Sequence, residues 1–97
     1  MSKIELTEEE IQSIETMWSL VESGQYYRLL DIGLNADTET IQQSYYRLSK
    51  VWHPDAYFKK DTGDYATTID NIFMGITEAY QTLVDSKKRS AYDRNHS

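Results

Sequence analysis

Apolar residues recur along the chain at helical spacing. Ile11, Ile14, Met17, Trp18 and Val21 are separated by one, three or four residues, with Leu20 alongside, and the intervening positions are polar and mainly acidic. The start of this segment is marked by Thr7 as an N-cap, by Glu10 as the other half of a capping box, and by Leu6 and Ile11 placed as a hydrophobic staple. A helix is therefore predicted from about Glu8, with Gly24 closing it in a left-handed cap. After this break, Tyr26, Tyr27, Leu29, Leu30, Ile32 and Leu34 form a short apolar patch that ends in the turn Asn35-Ala36-Asp37, where Asp37 can cap the next helix. Ile41, Tyr45, Leu48 and Trp52 line one face of that helix, Glu39 suits its N-terminal dipole, and Pro54 ends it. From Ala56 to Gly63 the chain is polar and turn-rich. A third long helix is predicted from about Tyr65 to Leu83, with Ile69, Ile72, Phe73, Ile76, Tyr80 and Leu83 on one stripe and Ala79 small beside it. Asp85-Ser86 restarts a short basic helix, Lys87 to Tyr92. The expected fold is all-α: two long helices packed as an antiparallel hairpin, short flanking helices and an N-terminal helix.

Composition narrows the chemistry. A chain of 97 residues is one small domain, and 39% hydrophobic and 12% aromatic residues suffice for a modest core. With no Cys, disulfides and thiolate metal sites are excluded, which fits a reducing compartment. Sixteen acidic against ten basic residues give a net charge of −6, which opposes binding to nucleic acid or to an anionic membrane. Most of that charge lies in residues 1–24, where six glutamates face Lys3 alone. No apolar run approaches the roughly 20 residues of a membrane span, and the N-terminus lacks the apolar stretch of a secretory signal, so a cytoplasmic location is expected.

His53-Pro54-Asp55 is the only tight grouping of a base and an acid. It makes a poor catalytic dyad, because there is no Cys and no Ser spaced as a nucleophile elbow, and His96 falls in the tail. One His and one carboxylate are too few to hold a metal. Taken by themselves, these residues read as a helix-end histidine favoured by the dipole and a loop aspartate bonded to its own backbone. Neither an enzyme nor a cofactor site is expected.

Tyr26-Tyr27-Arg28-Leu29-Leu30, the helix after it, His53-Pro54-Asp55, Glu78-Ala79-Tyr80 and Lys87-Lys88-Arg89-Ser90-Ala91-Tyr92-Asp93 stand in an order that resembles the J domain of DnaJ-type co-chaperones. The resemblance covers residues 25–94, preceded by the acidic helix of residues 1–24 and followed by a tail at 95–97. It implies that His53, Pro54 and Asp55 engage a DnaK-type heat-shock chaperone and trigger its ATP hydrolysis, with the Asp55 carboxylate pairing with a partner Arg. Arg47 and Lys50 would supply basic contacts to an acidic partner surface, and Phe73 matches an aromatic of the family that is usually flanked by lysines. Client binding would belong to domains of a longer chain. The alternative is a J-like adaptor or assembly domain that does not stimulate ATP hydrolysis.

The alternative rests on departures from the family pattern. Gln42, Gln43, Tyr46 and Val51 stand where charges are common, Ala56 follows Asp55, and Ile72 and Met74 replace the lysines around Phe73. With much of the steering charge gone, association should be slower and less sensitive to salt, which leaves room for a dedicated partner. Tyr46, Val51, Ile72 and Met74 are expected to be covered by the N-terminal helix through Ile11, Ile14, Trp18 and Val21, the alternative being that some of them simply enlarge the core.

Overall fold

The computed structural model describes residues 6–53 and 62–96. Helix α1 (Glu8–Glu22) starts at the capping box read from the sequence: the Thr7 N–H donates to Glu10 Oε1 at 3.2 Å, and the Glu10 N–H donates to Thr7 Oγ1 at 3.1 Å. Its end is a Schellman motif. Gly24 takes φ 67°, its N–H bonds the Val21 carbonyl at 3.1 Å, and the Gln25 N–H reaches the Leu20 carbonyl at 3.1 Å. The apolar patch that follows winds into a single turn, α2 (Tyr26–Leu29), and closes the same way. Here the left-handed residue is Asp31, at φ 55°, with the Asp31 N–H on the Arg28 carbonyl and the Ile32 N–H on the Tyr27 carbonyl, each at 3.0 Å.

Helix α3 (Thr38–Trp52) is capped by Asp37, whose Oδ1 accepts from the Thr40 N–H at 2.8 Å. Hydrogen bonding from the Thr40 side chain, and then from its backbone N–H, holds the Asp37 carboxyl below its ordinary range. Helix α4 (Tyr65–Val84) is the longest element, and α5 (Ser86–His96) follows after Asp85, whose Oδ1 accepts the Lys87 and Lys88 N–H groups at 3.0 Å each. The described residues contain no strand, and none of their helices is long and apolar enough to cross a membrane.

α4 is the axis of the molecule and packs against each of the other four helices. Ile69, Ile72, Ile76, Ala79 and Leu83 line its buried stripe, joined by Ile14 of α1, Leu29 and Leu30 around α2, and Ile41 and Trp52 of α3. Tyr45 of α3 stacks on Tyr80 of α4 with ring centroids 4.3 Å apart, whereas His53, two turns further along, meets Phe73. Rising numbers on α3 thus meet falling numbers on α4, which makes the expected antiparallel hairpin.

Two expectations are corrected. α5 runs to His96, past the predicted end at Tyr92, because the His96 ring stacks on Tyr92 at 4.0 Å and holds the last turn. The N-terminal helix does pack on α4, but only Ile72 of the four supposedly covered residues is buried. Tyr46, Val51 and Met74 are 53%, 51% and 66% exposed. α1 approaches α4 at Gly75, where a missing side chain lets Val21 sit close, and this approach leaves Met74 exposed.

Candidate functional site

The geometry of His53 follows from its neighbour. A residue before proline is pushed out of the helical region, and His53 sits at φ −58°, ψ 137° as the C-cap of α3, its N–H still bonded to the Ser49 carbonyl at 2.9 Å. Its side chain is exposed yet oriented: the imidazole and the Phe73 ring meet edge to face, with centroids 5.1 Å apart and planes at 71°. Phe73 is half-buried, and its turn of α4 is tied to α3. The Tyr45 and Thr77 hydroxyls lie 3.5 Å apart, and Thr77 Oγ1 donates to the Phe73 carbonyl at 3.1 Å. Trp52, at the end of α3 from which His53 projects, is buried and lines one groove with Glu9, Ser13 and Met17 of α1.

The structure therefore brings two of the candidate residues, His53 and Phe73, into contact. Arg47 and Lys50 are exposed on the outer side of α3, and Arg47 Nη2 donates to Ser44 Oγ at 3.3 Å. Pro54 and Asp55, and the expected loop as far as residue 61, lie outside the described residues. Among the described residues no three of His, Cys, Asp and Glu gather as a metal site would require. An exposed ring fixed by a second ring suits recognition better than bond chemistry.

A second constellation, at the other end of α4, carries residues quoted from the sequence without a structural role. Arg89 of α5 donates through Nε to the Tyr27 hydroxyl at 3.0 Å, through Nη1 to the Ala36 carbonyl at 2.7 Å and through Nη2 to the Leu34 carbonyl at 2.9 Å. The Tyr27 hydroxyl in turn donates a hydrogen bond to Asp93 Oδ1 at 2.7 Å. Tyr92 stacks on Tyr26 at 4.6 Å, accepts from the Tyr26 N–H at 3.0 Å and donates to the Gly24 carbonyl. Burial pushes the phenols of Tyr26 and Tyr27 above their usual range, helped by the Glu78 and Asp93 carboxylates respectively. Arg89, Tyr92 and Asp93 thus latch α5 onto both loops that flank α2. The spacing Arg-x-x-Tyr-Asp was the available signal, since it puts a cation and a ring on one helix face.

Comparison with known proteins agrees with this architecture. Residues 25–93 match the family described as DnaJ domain. The chain is similar to the chaperone protein DnaJ of Aliarcobacter butzleri, 42% identical over 69 residues, which are 71% of this chain and 17% of that protein. Its similarity to the chaperone protein DnaJ of Zymomonas mobilis is 44% over 69 residues, with the same coverage of 71% and 17%. For the protein of that name from Lacticaseibacillus casei the identity is 36% over 75 residues, 77% of this chain and 18% of the relative. The chain thus spans less than a fifth of the length of these relatives. No solved structure matches. With the family match covering α2 through most of α5 and its tripeptide beginning at the end of α3, the chain belongs to the DnaJ domain family.

Proposed function

We propose that this domain is a co-chaperone module that docks on a DnaK-type heat-shock chaperone and stimulates its ATP hydrolysis through His53-Pro54-Asp55. The observation that carries the reading is the placement of His53: an exposed ring at the end of α3, steadied by Phe73 and followed in sequence by Pro54 and Asp55 inside the matched family segment. In this reading Asp55 pairs with an arginine of the chaperone, while His53 and Pro54 set the direction in which it projects. A desolvated charge pair suits a trigger, because losing either half leaves the other charge unpaired. Arg47 and Lys50 add cationic contacts along α3. The bond chemistry belongs to the chaperone, and this chain uses no cofactor or metal. A net charge of −6 and the lack of Cys fit a cytoplasmic module that avoids nucleic acid and membranes.

Single-turnover ATP hydrolysis by the DnaK-type protein of the same organism tests the proposal. Addition of this chain should accelerate hydrolysis, and His53→Gln or Asp55→Asn should abolish the effect while circular dichroism and the melting temperature barely change. Failure of the wild-type chain to accelerate hydrolysis, or equal acceleration by both variants, would overturn the reading. One observation favours an adaptor instead: Arg47 and Lys50 are the only cations of α3. An adaptor would bind the chaperone without accelerating hydrolysis.

A further inference from the structure

Leu34 is 73% exposed, the barest large apolar side chain among the described residues. Its backbone is nevertheless pinned: the Leu34 carbonyl accepts from Arg89 Nη2 at 2.9 Å, and the Ala36 carbonyl accepts from Arg89 Nη1 at 2.7 Å. The side chain borders a concavity of about 640 Å³ between α2, the loop after it and α5, lined also by Tyr27, Arg28, Asn35, Tyr92 and His96. Ligand sites run from roughly 300 to 1,000 Å³. The walls are already in place. Tyr92 stacks on both Tyr26 and His96, with centroids 4.6 and 4.0 Å apart, and the Tyr27 hydroxyl is held by Arg89 and Asp93. An occupant meets a preformed surface and loses little affinity to ordering it.

Charge selects the occupant. Asp93 also borders the concavity, but its charge is answered by Arg89 through Tyr27, whose hydroxyl accepts from Arg89 Nε at 3.0 Å and donates to Asp93 Oδ1 at 2.7 Å. Arg28 has no such counterpart: it is exposed, and among the described residues its guanidinium makes no hydrogen bond or ion pair. Apart from His96, α5 carries four cations, Lys87, Lys88, Arg89 and Arg94, against Asp93 alone, a net +3 in a chain of −6. An acidic ligand is drawn to this end of the molecule. We propose that the concavity binds an acidic peptide segment of a partner protein, which sets an aromatic or leucine side chain against Leu34, Tyr27 and Tyr92 and a neighbouring carboxylate on Arg28. The planar fork of a guanidinium suits a carboxylate. With Leu34 so bare, the concavity is an open trough, whereas small-molecule sites bury most of their ligand, so a peptide chain fits it better. The site goes beyond the function proposed above and does not rest on it. Phe73, which touches His53, stands eleven residues before the end of α4 at Val84, about 16 Å along the helix axis, so a segment held at α5 leaves the tripeptide end open.

The test is selection of a random heptapeptide phage library on the full chain, with the Leu34→Ser chain used to discard peptides that bind elsewhere. The best selected peptide is then titrated into isotope-labelled protein and followed by NMR. Selected peptides are expected to carry Asp or Glu within two residues of an aromatic residue or Leu. The best of them should shift the amide signals of Leu34, Asn35 and Tyr92 and leave that of Phe73 in place. Its affinity should fall at least about fivefold in Leu34→Ser, in Arg28→Gln, and when its own anchoring side chain is cut back to Ala. Both protein variants keep the fold, because Leu34 is anchored by its carbonyl and Arg28 has no partner among the described residues. Selection that enriches nothing over the Leu34→Ser control, or only basic or uncharged peptides, would overturn the proposal. So would shifts centred on Phe73, or affinity that both variants retain. Sedimentation showing that the free chain self-associates, and that Leu34→Ser makes it monomeric, would give the trough to a second copy and sink the peptide site.

Discussion

A Cβ placed on Gly75 would stand 2.8 Å from Val21 Cγ2 and 3.0 Å from Val21 Cγ1. Glycine inside a helix costs about 1 kcal/mol relative to alanine, yet overpacking a tight contact costs about 1–3 kcal/mol, and a β-branched valine on a helix has little rotamer freedom with which to yield. Crowding should win. Gly75→Ala is expected to lower stability in chemical denaturation, whereas the same change made in a Val21→Ala background should raise it. An alanine that stabilises both backgrounds would show that α1 and α4 do not meet at this point.

Arg89 joins α5 to the Tyr27 hydroxyl and to the carbonyls of Ala36 and Leu34. Charge-assisted bonds to carbonyls of the loop between α2 and α3 anchor an element with no fully buried residue of its own. Arg89→Ala should cost about 2–4 kcal/mol, and Arg89→Lys should recover less than half of that, since an ammonium cannot span the fork. Full recovery by lysine, read from denaturation midpoints, would mean that charge rather than geometry is what matters.

Tyr26 and Tyr27 give the domain an alkaline limit. Burial raises both phenol pKa values above the ordinary 10.0. Below pH 10 folded and unfolded chains alike hold these protons, and the contribution of the two phenols to stability is complete. As pH rises above about 10, the unfolded chain ionises first, so stability falls until the folded pKa is passed. Tyr26→Phe should flatten this decline in denaturation profiles recorded between pH 9 and 11. An unchanged slope would show that the Tyr26 phenol is as easily ionised folded as unfolded.

What was legible in the sequence was local. The Thr7–Glu10 box, the Gly24 cap, the Asp37 cap and the effect of Pro54 on His53 each depend on residues within a few positions of one another, and each stands where the spacing put it. The hairpin was legible because two apolar stripes of similar length have one obvious way to bury each other. Contacts over long separations were not legible. Nothing in the spacing says that Arg89 reaches carbonyls 53 and 55 residues away, or that Tyr92 bonds to Gly24. The face that α1 covers was misassigned for the same reason. Apolar Tyr46, Val51 and Met74 drew the helix toward them on hydrophobicity alone, while the feature that seats it is Gly75, a residue whose mark on the sequence is only a small side chain within a long apolar helix. The site was legible as a motif, and the contact of His53 with Phe73, twenty residues away, came only with the fold.

Ile14 has no accessible surface, although it lies eleven residues before the segment that matches the family. Modularity in this protein therefore breaks at a different place from homology. A chimera that joins residue 25 of this chain to a foreign partner would leave behind the residue that fills one wall of the core and would bare the Gly75 flank of α4. A graft cut ahead of Thr7 would keep the capping box and the wall together. The transplantable unit is longer than the recognisable one by a helix.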